Sequence, residues 1–266
     1  MHPMLNIAIR AARAAGTVIS RNIDRIDTLK IDRKQRNDFV SDVDRNAEEA
    51  IIQTLRKAYP DHAVLGEESG LTGQKNSDHI WIVDPLDGTL NFLHGFPHFC
   101  VSIALQVKGR LDQAVIYDPV GQELFTASRG QGAWLDNKRL RVSGCSALGD
   151  ALLGTGLPYR DGQDLERYMA TLNHFTLTSG GIRRPGSAAL EMAYVAAGRL
   201  DGFWQPYLNA WDCAAGGLLV REAGGLISDF KGDDSWMDSG EVLCATPKVF
   251  HEMLQRLKQD AAQPKG

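Results

Sequence analysis

Cysteine is scarce in this 266-residue chain, and its four copies, Cys100, Cys145, Cys213 and Cys244, lie far apart with no Cys-x-x-Cys pair. Neither a zinc ribbon nor a disulfide framework is encoded, and reduced core thiols are expected. No stretch approaches the roughly 18 uninterrupted apolar residues of a membrane span. The first apolar segment, residues 5–19, is broken by Arg10 and Arg13. It reads as an amphipathic helix, not as the apolar core of a signal peptide, so a cytoplasmic protein is expected. A basic excess is also missing: 29 Lys and Arg stand against 33 Asp and Glu, a formal charge of −4. The footprint of nonspecific nucleic-acid binding is therefore absent. There is no internal repeat and no low-complexity linker. A full Gly-x-Gly-x-x-Gly fingerprint is lacking too, so Ser128-Arg129-Gly130-Gln131-Gly132 reads as a hairpin turn. No Gly-x-Ser-x-Gly elbow suggests a nucleophilic serine.

What is present is acidic residues at element boundaries. The apolar run Ile80-Trp81-Ile82-Val83 leads into Asp84-Pro85-Leu86-Asp87-Gly88-Thr89. A buried strand thus delivers two carboxylates and turns through Gly88 into a helix start. Carboxylate oxygens are hard ligands suited to Mg²⁺. Amides at a helix start can take a phosphate without a basic side chain. Pro85 fixes φ and removes an amide donor, which helps present the Leu86 carbonyl. Three further acids stand at similar boundaries: Glu67 in Gly66-Glu67-Glu68-Ser69, Asp212 after Trp211, and Asp44 before a helical stretch over 45–58. Singly, each reads as a cap or a surface charge. Together they read as a metal site.

The remainder of the chain supports a mixed architecture. Helices are expected over 4–22, 43–58, 164–174, 187–197, 210–223 and 247–260. Short strands are expected over 99–107, 114–117, 123–127, 151–155, 202–204, 226–228 and 242–245, the earlier ones forming an antiparallel sheet. The polar segment 30–38 reads as a solvated connection, and residues 261–266 as a frayed tail. One domain over 1–266, with subdomains of roughly 1–145 and 146–266, accommodates these elements. His94 and His98 are separated by Gly95 and Pro97, which argues against a helical zinc pair. Trp81, Trp204 and Trp211 sit in apolar company and read as core.

The segments Gly66 to Glu68, Trp81 to Phe92 and Trp211 to Gly225 resemble those of the inositol monophosphatase family over nearly the whole chain, its bacterial SuhB-type branch most closely. The Asp-Pro-Leu-Asp-Gly-Thr hexapeptide alone is shared with fructose-1,6-bisphosphatases and adenosine 3′,5′-bisphosphate phosphatases, which are the alternatives. Segment 194–202 and Pro185-Gly186-Ser187 favour the inositol branch. The resemblance implies an α/β (α+β) fold, a layered αβαβα sandwich. It also implies a Mg²⁺-dependent, lithium-sensitive phosphomonoesterase acting on inositol monophosphate and similar small phosphomonoesters.

By resemblance, Glu67, Asp84 and the Leu86 carbonyl hold one ion. Asp84, Asp87 and Asp212 hold a second, and a weaker third sits near Glu67. Thr89 orients the water, with Asp44 as its base-like partner, and the Gly88 and Thr89 amides hold phosphate. Asp87, Gly186, Ser187, Ala188 and Gln205 line the substrate pocket. Gln205 departs from the family, where many members carry Glu. A neutral acceptor weakens the grip on a ring hydroxyl by about tenfold in specificity constant. A homodimer is implied, as is a mobile loop at 30–38 that closes over the metals. For the SuhB-type branch, so is contact with NusA and RNA polymerase in ribosomal-RNA antitermination; outer surface around Arg183-Arg184 and the dimer interface is the place expected for it.

Overall fold

A computed structural model describes residues 2–28, 31–35, 38–74, 76–158 and 162–262, with the side chains of 27–39 and 260–262 outside the description. Its layering follows from alternation along the strands. In His79–Asp87, Trp81 and Val83 join a core with Ala8, Ala12, Ile51 and Leu55, while Ile82 enters a second core with Ala189, Leu218 and Leu219. Cys100–Val107 repeats the pattern: Val101 and Ile103 go one way, Cys100 and Ala104 the other. A period of two thus makes one sheet the wall between two cores.

That sheet has eight strands, in the order Lys138–Arg139, Gly132–Leu135, Glu123–Ser128, Arg110–Asp118, Cys100–Val107, His79–Asp87, Ala63–Gly66, Gly70–Thr72. All neighbours are antiparallel except Ala63–Gly66 and His79–Asp87, which are parallel. Helices Pro3–Asn22 and Asp42–Ala58 cover one face, and Ala188–Ala196 and Ala210–Glu222 the other. Beyond these lies a five-stranded sheet, Gly181–Arg183, Leu152–Thr155, Gly202–Gln205, Val242–Ala245, Leu226–Ser228. Phe203 and Cys244 face the middle core, whereas Trp204 and Leu243 face a third core closed by Phe175, Phe250 and Met253 of helices Leu165–Thr178 and Pro247–Ala262. The fold is an α/β sandwich of five layers, αβαβα.

Two middle helices pressed between two sheets leave no solvated face, and Cys213 through Val220 are all buried. Their small residues allow the close approach. A Cβ added at Gly216 would lie 2.6 Å from Met192 Cβ, and one at Gly217 2.4 Å from the Trp236 ring.

Several expectations need correction. The segment 30–38 is not a plain connection. Its backbone carries antiparallel strands Ile31–Gln35 and Asp38–Ser41, whose pairing satisfies groups a loop leaves to water. Closure of this segment over a metal involves residues partly outside those described. The second helix starts at Asp42, capped by Ser41, so Asp44 lies within its first turn and not before it. The tail is helical to Ala262, and residues 263–266 fall outside the description. Three-residue strands Gly70–Thr72 and Gly181–Arg183 were not expected, because so short a segment carries no readable periodicity. The hairpin expected at 128–132 is present, with the Gln131 amide donating to the Ser128 carbonyl at 2.9 Å. All four cysteines are free, and Trp81 and Trp204 are fully buried. Trp211 is half-buried against the middle core. Among the described residues no helix is long and apolar enough to cross a membrane.

Candidate active site

Asp84 and Asp87 are three residues apart, a spacing that in a regular strand points side chains to opposite faces. The strand is irregular here. Asp84 pairs with Ser102 and Asp87 with Cys100, so an extra residue of His79–Asp87 is accommodated between them. This bulge, at Pro85 and Leu86, re-aims the strand so that both carboxylates reach one cleft. The Leu86 amide donates to Asp84 Oδ1 at 2.9 Å. Gly88 follows with φ +98°, and a Cβ there would meet the His98 carbonyl at 3.0 Å, so only glycine closes this turn without strain.

A third carboxylate arrives from another layer. Asp212 lies in the first turn of Ala210–Glu222, in a capping box with Asn209, and its Oδ2 accepts from the Asn209 amide at 2.7 Å. Ligand oxygens of Asp84, Asp87 and Asp212 all lie within 4.8 Å of one another. Glu67 lines the same cleft but stands outside that tight group. Asp87 Oδ2 accepts from Ser187 Oγ at 2.6 Å and from the Ala189 amide at 2.7 Å, which ties the Gly186-Ser187-Ala188 segment to the acidic cluster. Thr89 Oγ1 lies 2.9 Å from Asp44 Oδ1 and 3.1 Å from the Leu86 carbonyl. Asp44 Oδ2 accepts from the amide and the hydroxyl of Ser41. The cap reading of Asp44 is therefore met by one oxygen, while the other takes the hydroxyl of Thr89.

The cleft is about 140 Å³ in volume, and Gly88, Gly186, Ala188, Gln205 and Arg184 also line it. Gln205 is held against Gly156, where an added Cβ would meet its Oε1 at 2.2 Å. The sequence-expected residues thus converge. Two contributors were not expected. Asn91 donates to the His98 carbonyl at 2.7 Å and to the Pro185 carbonyl at 2.8 Å, bridging the two loops that flank Asp87. Buried Glu191 accepts from the Gly186 amide at 3.1 Å. An acid inside the Ala188–Ala196 apolar run was its one visible signal.

Arg183 and Arg184 do not form one patch. Both are exposed, but only Arg184 lines the cleft, while Arg183 ends an edge strand of the five-stranded sheet. Neighbours in extended chain diverge, which adjacency in sequence conceals. His94 is exposed and His98 buried, and they form no metal group among the described residues. Burial pushes the His98 pKa down to about 4, so it is neutral.

Burial, then the charges of Glu67, Asp87 and Asp212, raises the Asp84 pKa well above the usual carboxylate range. Burial pushes Asp87 up to about 6, against the opposing hydrogen bonds from Ser187 and Ala189. Burial also raises Asp44, again against hydrogen bonds from Ser41. The cluster is thus strained by like charge and desolvation, a state relieved by protons or by a cation.

Five layers and a cleft with an acidic cluster beside a bulged strand, a group that could hold a metal ion, define a class of α/β sandwich protein. The chain belongs to the inositol monophosphatase family, which matches residues 1–263. It is 52% identical over 262 residues to Nus factor SuhB of Pseudomonas aeruginosa, covering 97% of each chain. It superposes on the extragenic suppressor protein suhB of Bartonella henselae with a TM-score of 0.94 at 42% identity, covering 97% of this chain and 99% of that one. It likewise resembles an inositol monophosphatase of Anabaena, with a TM-score of 0.83 at 34% identity, covering 96% and 95%.

Raised carboxyl pKa values fix the sign of the pH dependence. A group that holds its proton more tightly when folded stabilises the fold at low pH, and that contribution is lost as pH rises through the folded value, about 6 for Asp87. Metal-free Asp84→Asn is expected to be more stable than the parent by about 1–3 kcal/mol at pH 8. The gap should close toward pH 5, and Mg²⁺ should stabilise the parent more than the variant. Thermal unfolding of both proteins from pH 5 to 8 is the check, and parallel profiles would refute the repulsion.

Proposed function

We propose that this chain is a Mg²⁺-dependent phosphomonoesterase that hydrolyses inositol monophosphate and related small phosphomonoesters. The observation that carries the reading is the presence in one cleft of the Asp84, Asp87 and Asp212 cluster and of Thr89, whose hydroxyl is bonded to buried Asp44 behind it. The donor set suits the ion: hard oxygens on several turns, with desolvated like charges that a divalent cation offsets. Asp84, Asp87 and Asp212 would hold one Mg²⁺, and Glu67, Asp84 and the Leu86 carbonyl another, with a third ion weaker near Glu67. When bound, Mg²⁺ acidifies a water and neutralises charge on the phosphate and the leaving oxygen.

The chain's own groups do the rest. The Thr89 hydroxyl donates to Asp44, which leaves the Thr89 oxygen lone pairs to orient a water and gives Asp44 the base-like role. The Gly88 and Thr89 amides, at the start of the short helix Thr89–Leu93, take phosphate oxygens. Gly186 and Ala188 line the cleft, with Ser187 between them bonded to Asp87, and this segment would form a wall for the polyol, with Gln205 lining the same cleft. Among the described residues lining the cleft, Arg184 alone is cationic, which favours one phosphate over two. A bisphosphate substrate, as in fructose-1,6-bisphosphatase or adenosine 3′,5′-bisphosphate phosphatase, is the alternative. We place the protein in the cytoplasm, as a homodimer of single-domain subunits inhibited by lithium, on family likeness.

A phosphate-release panel tests this reading: inositol 1-phosphate, glycerol 2-phosphate, fructose 1,6-bisphosphate and adenosine 3′,5′-bisphosphate, with and without Mg²⁺. Turnover of the monoesters should require Mg²⁺. Asp84→Asn should lower kcat by more than about 10³-fold, the scale for loss of a principal electrostatic element. A kcat within about tenfold of the parent, or preference for a bisphosphate, would overturn it.

The likeness to a protein named Nus factor SuhB supports a second role, contact with NusA and RNA polymerase in ribosomal-RNA antitermination. Catalysis uses the cleft, so partner binding belongs on outer surface, and exposed Arg183 offers a planar donor for an acidic partner. Asp84→Asn should retain NusA in a pull-down, and Arg183→Ala should weaken it several-fold without changing the sedimentation of the dimer. Retention of NusA by Arg183→Ala would remove the arginine from the contact, and no capture by the parent would remove the role.

A further inference from the structure

We infer that Glu48, outside the cleft, is the positioning residue for Glu67, so that one helical face sets both the Glu67 loop and Thr89. Glu48 is 3% exposed. A carboxylate is costly to bury unless its oxygens are met, and both are met by backbone of a single turn. Oε2 accepts from the Glu68 amide and Oε1 from the Ser69 amide, each at 2.9 Å. This two-oxygen grip takes hold immediately after Glu67. The Glu67 amide itself donates to the Val83 carbonyl at 3.1 Å, one residue before Asp84. The Glu67 backbone is therefore fixed on one side to the strand that carries Asp84 and on the other to Glu48.

Two further observations point the same way. A Cβ at Gly66 would lie 2.4 Å from Glu48 Oε2, so the position preceding Glu67 is kept empty for this carboxylate. Asp44 lies four residues before Glu48, one turn back along the same face of Asp42–Ala58. Asp44 is fully buried and accepts from Thr89. A single rigid turn of helix thus spaces the water-orienting threonine relative to the Glu67 carboxylate, and charged hydrogen bonds to backbone amides hold geometry more firmly than neutral ones. Such a device gives preorganisation: Glu67 need not be ordered by the ion it receives.

The inference rests on Glu67 being a metal ligand, so the test includes that residue. Full-length, metal-free protein is titrated with Mn²⁺, and free ion is followed by electron paramagnetic resonance. Glu48→Gln, which turns an amide group toward one of the two backbone donors, should weaken Mn²⁺ binding by about five- to tenfold. Gly66→Ala, which displaces the carboxylate from the other side, should do the same, and the double variant should be no worse than the poorer single, as expected for two changes to one contact. Should Glu48→Gln fail to fold by circular dichroism, Gly66→Ala reads the same contact. Parent-like affinity in Glu48→Gln or in Gly66→Ala, with weakened binding in Glu67→Gln, would reduce Glu48 to a support of the hairpin and overturn the proposal. Parent-like affinity in Glu67→Gln itself would remove Glu67 as a ligand, and the proposal with it.

Discussion

Repulsion among desolvated carboxylates is the constraint on which this molecule is built. Asp84, Asp87 and Asp212 are drawn together from two layers of the sandwich, with ligand oxygens within 4.8 Å. Like charges at that distance, out of water, oppose folding. The bonds that hold them in place come largely from uncharged donors: the Leu86 amide on Asp84, the Ser187 hydroxyl and Ala189 amide on Asp87, and the Asn209 amide on Asp212. Such donors fix geometry while leaving much of the negative charge in place. A site arranged in this way could hold a metal ion, whose charge would offset the repulsion.

The layers supply the rigidity that this arrangement requires. Asp212 begins a helix buried between two sheets, where Gly216 and Gly217 admit Met192 and Trp236 at contact distances no larger residue would allow. Asp84 and Asp87 end a strand whose alternating side chains anchor it in the outer and the middle cores. Helix Asp42–Ala58 then carries Asp44 and Glu48 on one buried face, toward Thr89 and the Glu67 loop. Three separate packing interfaces meet at one cleft. Asn91, bridging the His98 and Pro185 carbonyls, joins the loops between them.

Much of this was legible before the fold was known, and unevenly so. The strand at 79–87 and its acids could be read because an apolar run ended abruptly in Asp, Pro and Gly, and long helices could be read from their period. The family likeness added Gln205, Thr89 and the 186–188 wall, all of which line the cleft or its immediate contacts. Glu48 was illegible: on a helix with acids at 42, 44, 48 and 49, a burial that depends on a turn twenty residues away looks like solvated charge. The bulge that brings Asp84 and Asp87 to one side is a matter of register with Cys100–Val107, which no local pattern carries. Arg183 and Arg184 looked like a pair because adjacency is visible in sequence and side-chain direction is not. The three-residue strands escaped because pairing across a sheet, not local propensity, creates them.

Anomalous X-ray scattering from crystals grown with Mn²⁺ locates an ion at the carboxylate cluster without reference to turnover. A peak is expected within coordination distance of Asp84, Asp87 and Asp212 together, with these side chains close to their positions in the metal-free fold. Absence of a peak there at saturating Mn²⁺, or an ion found only elsewhere on the protein, would contradict the reading of this cluster as a metal site.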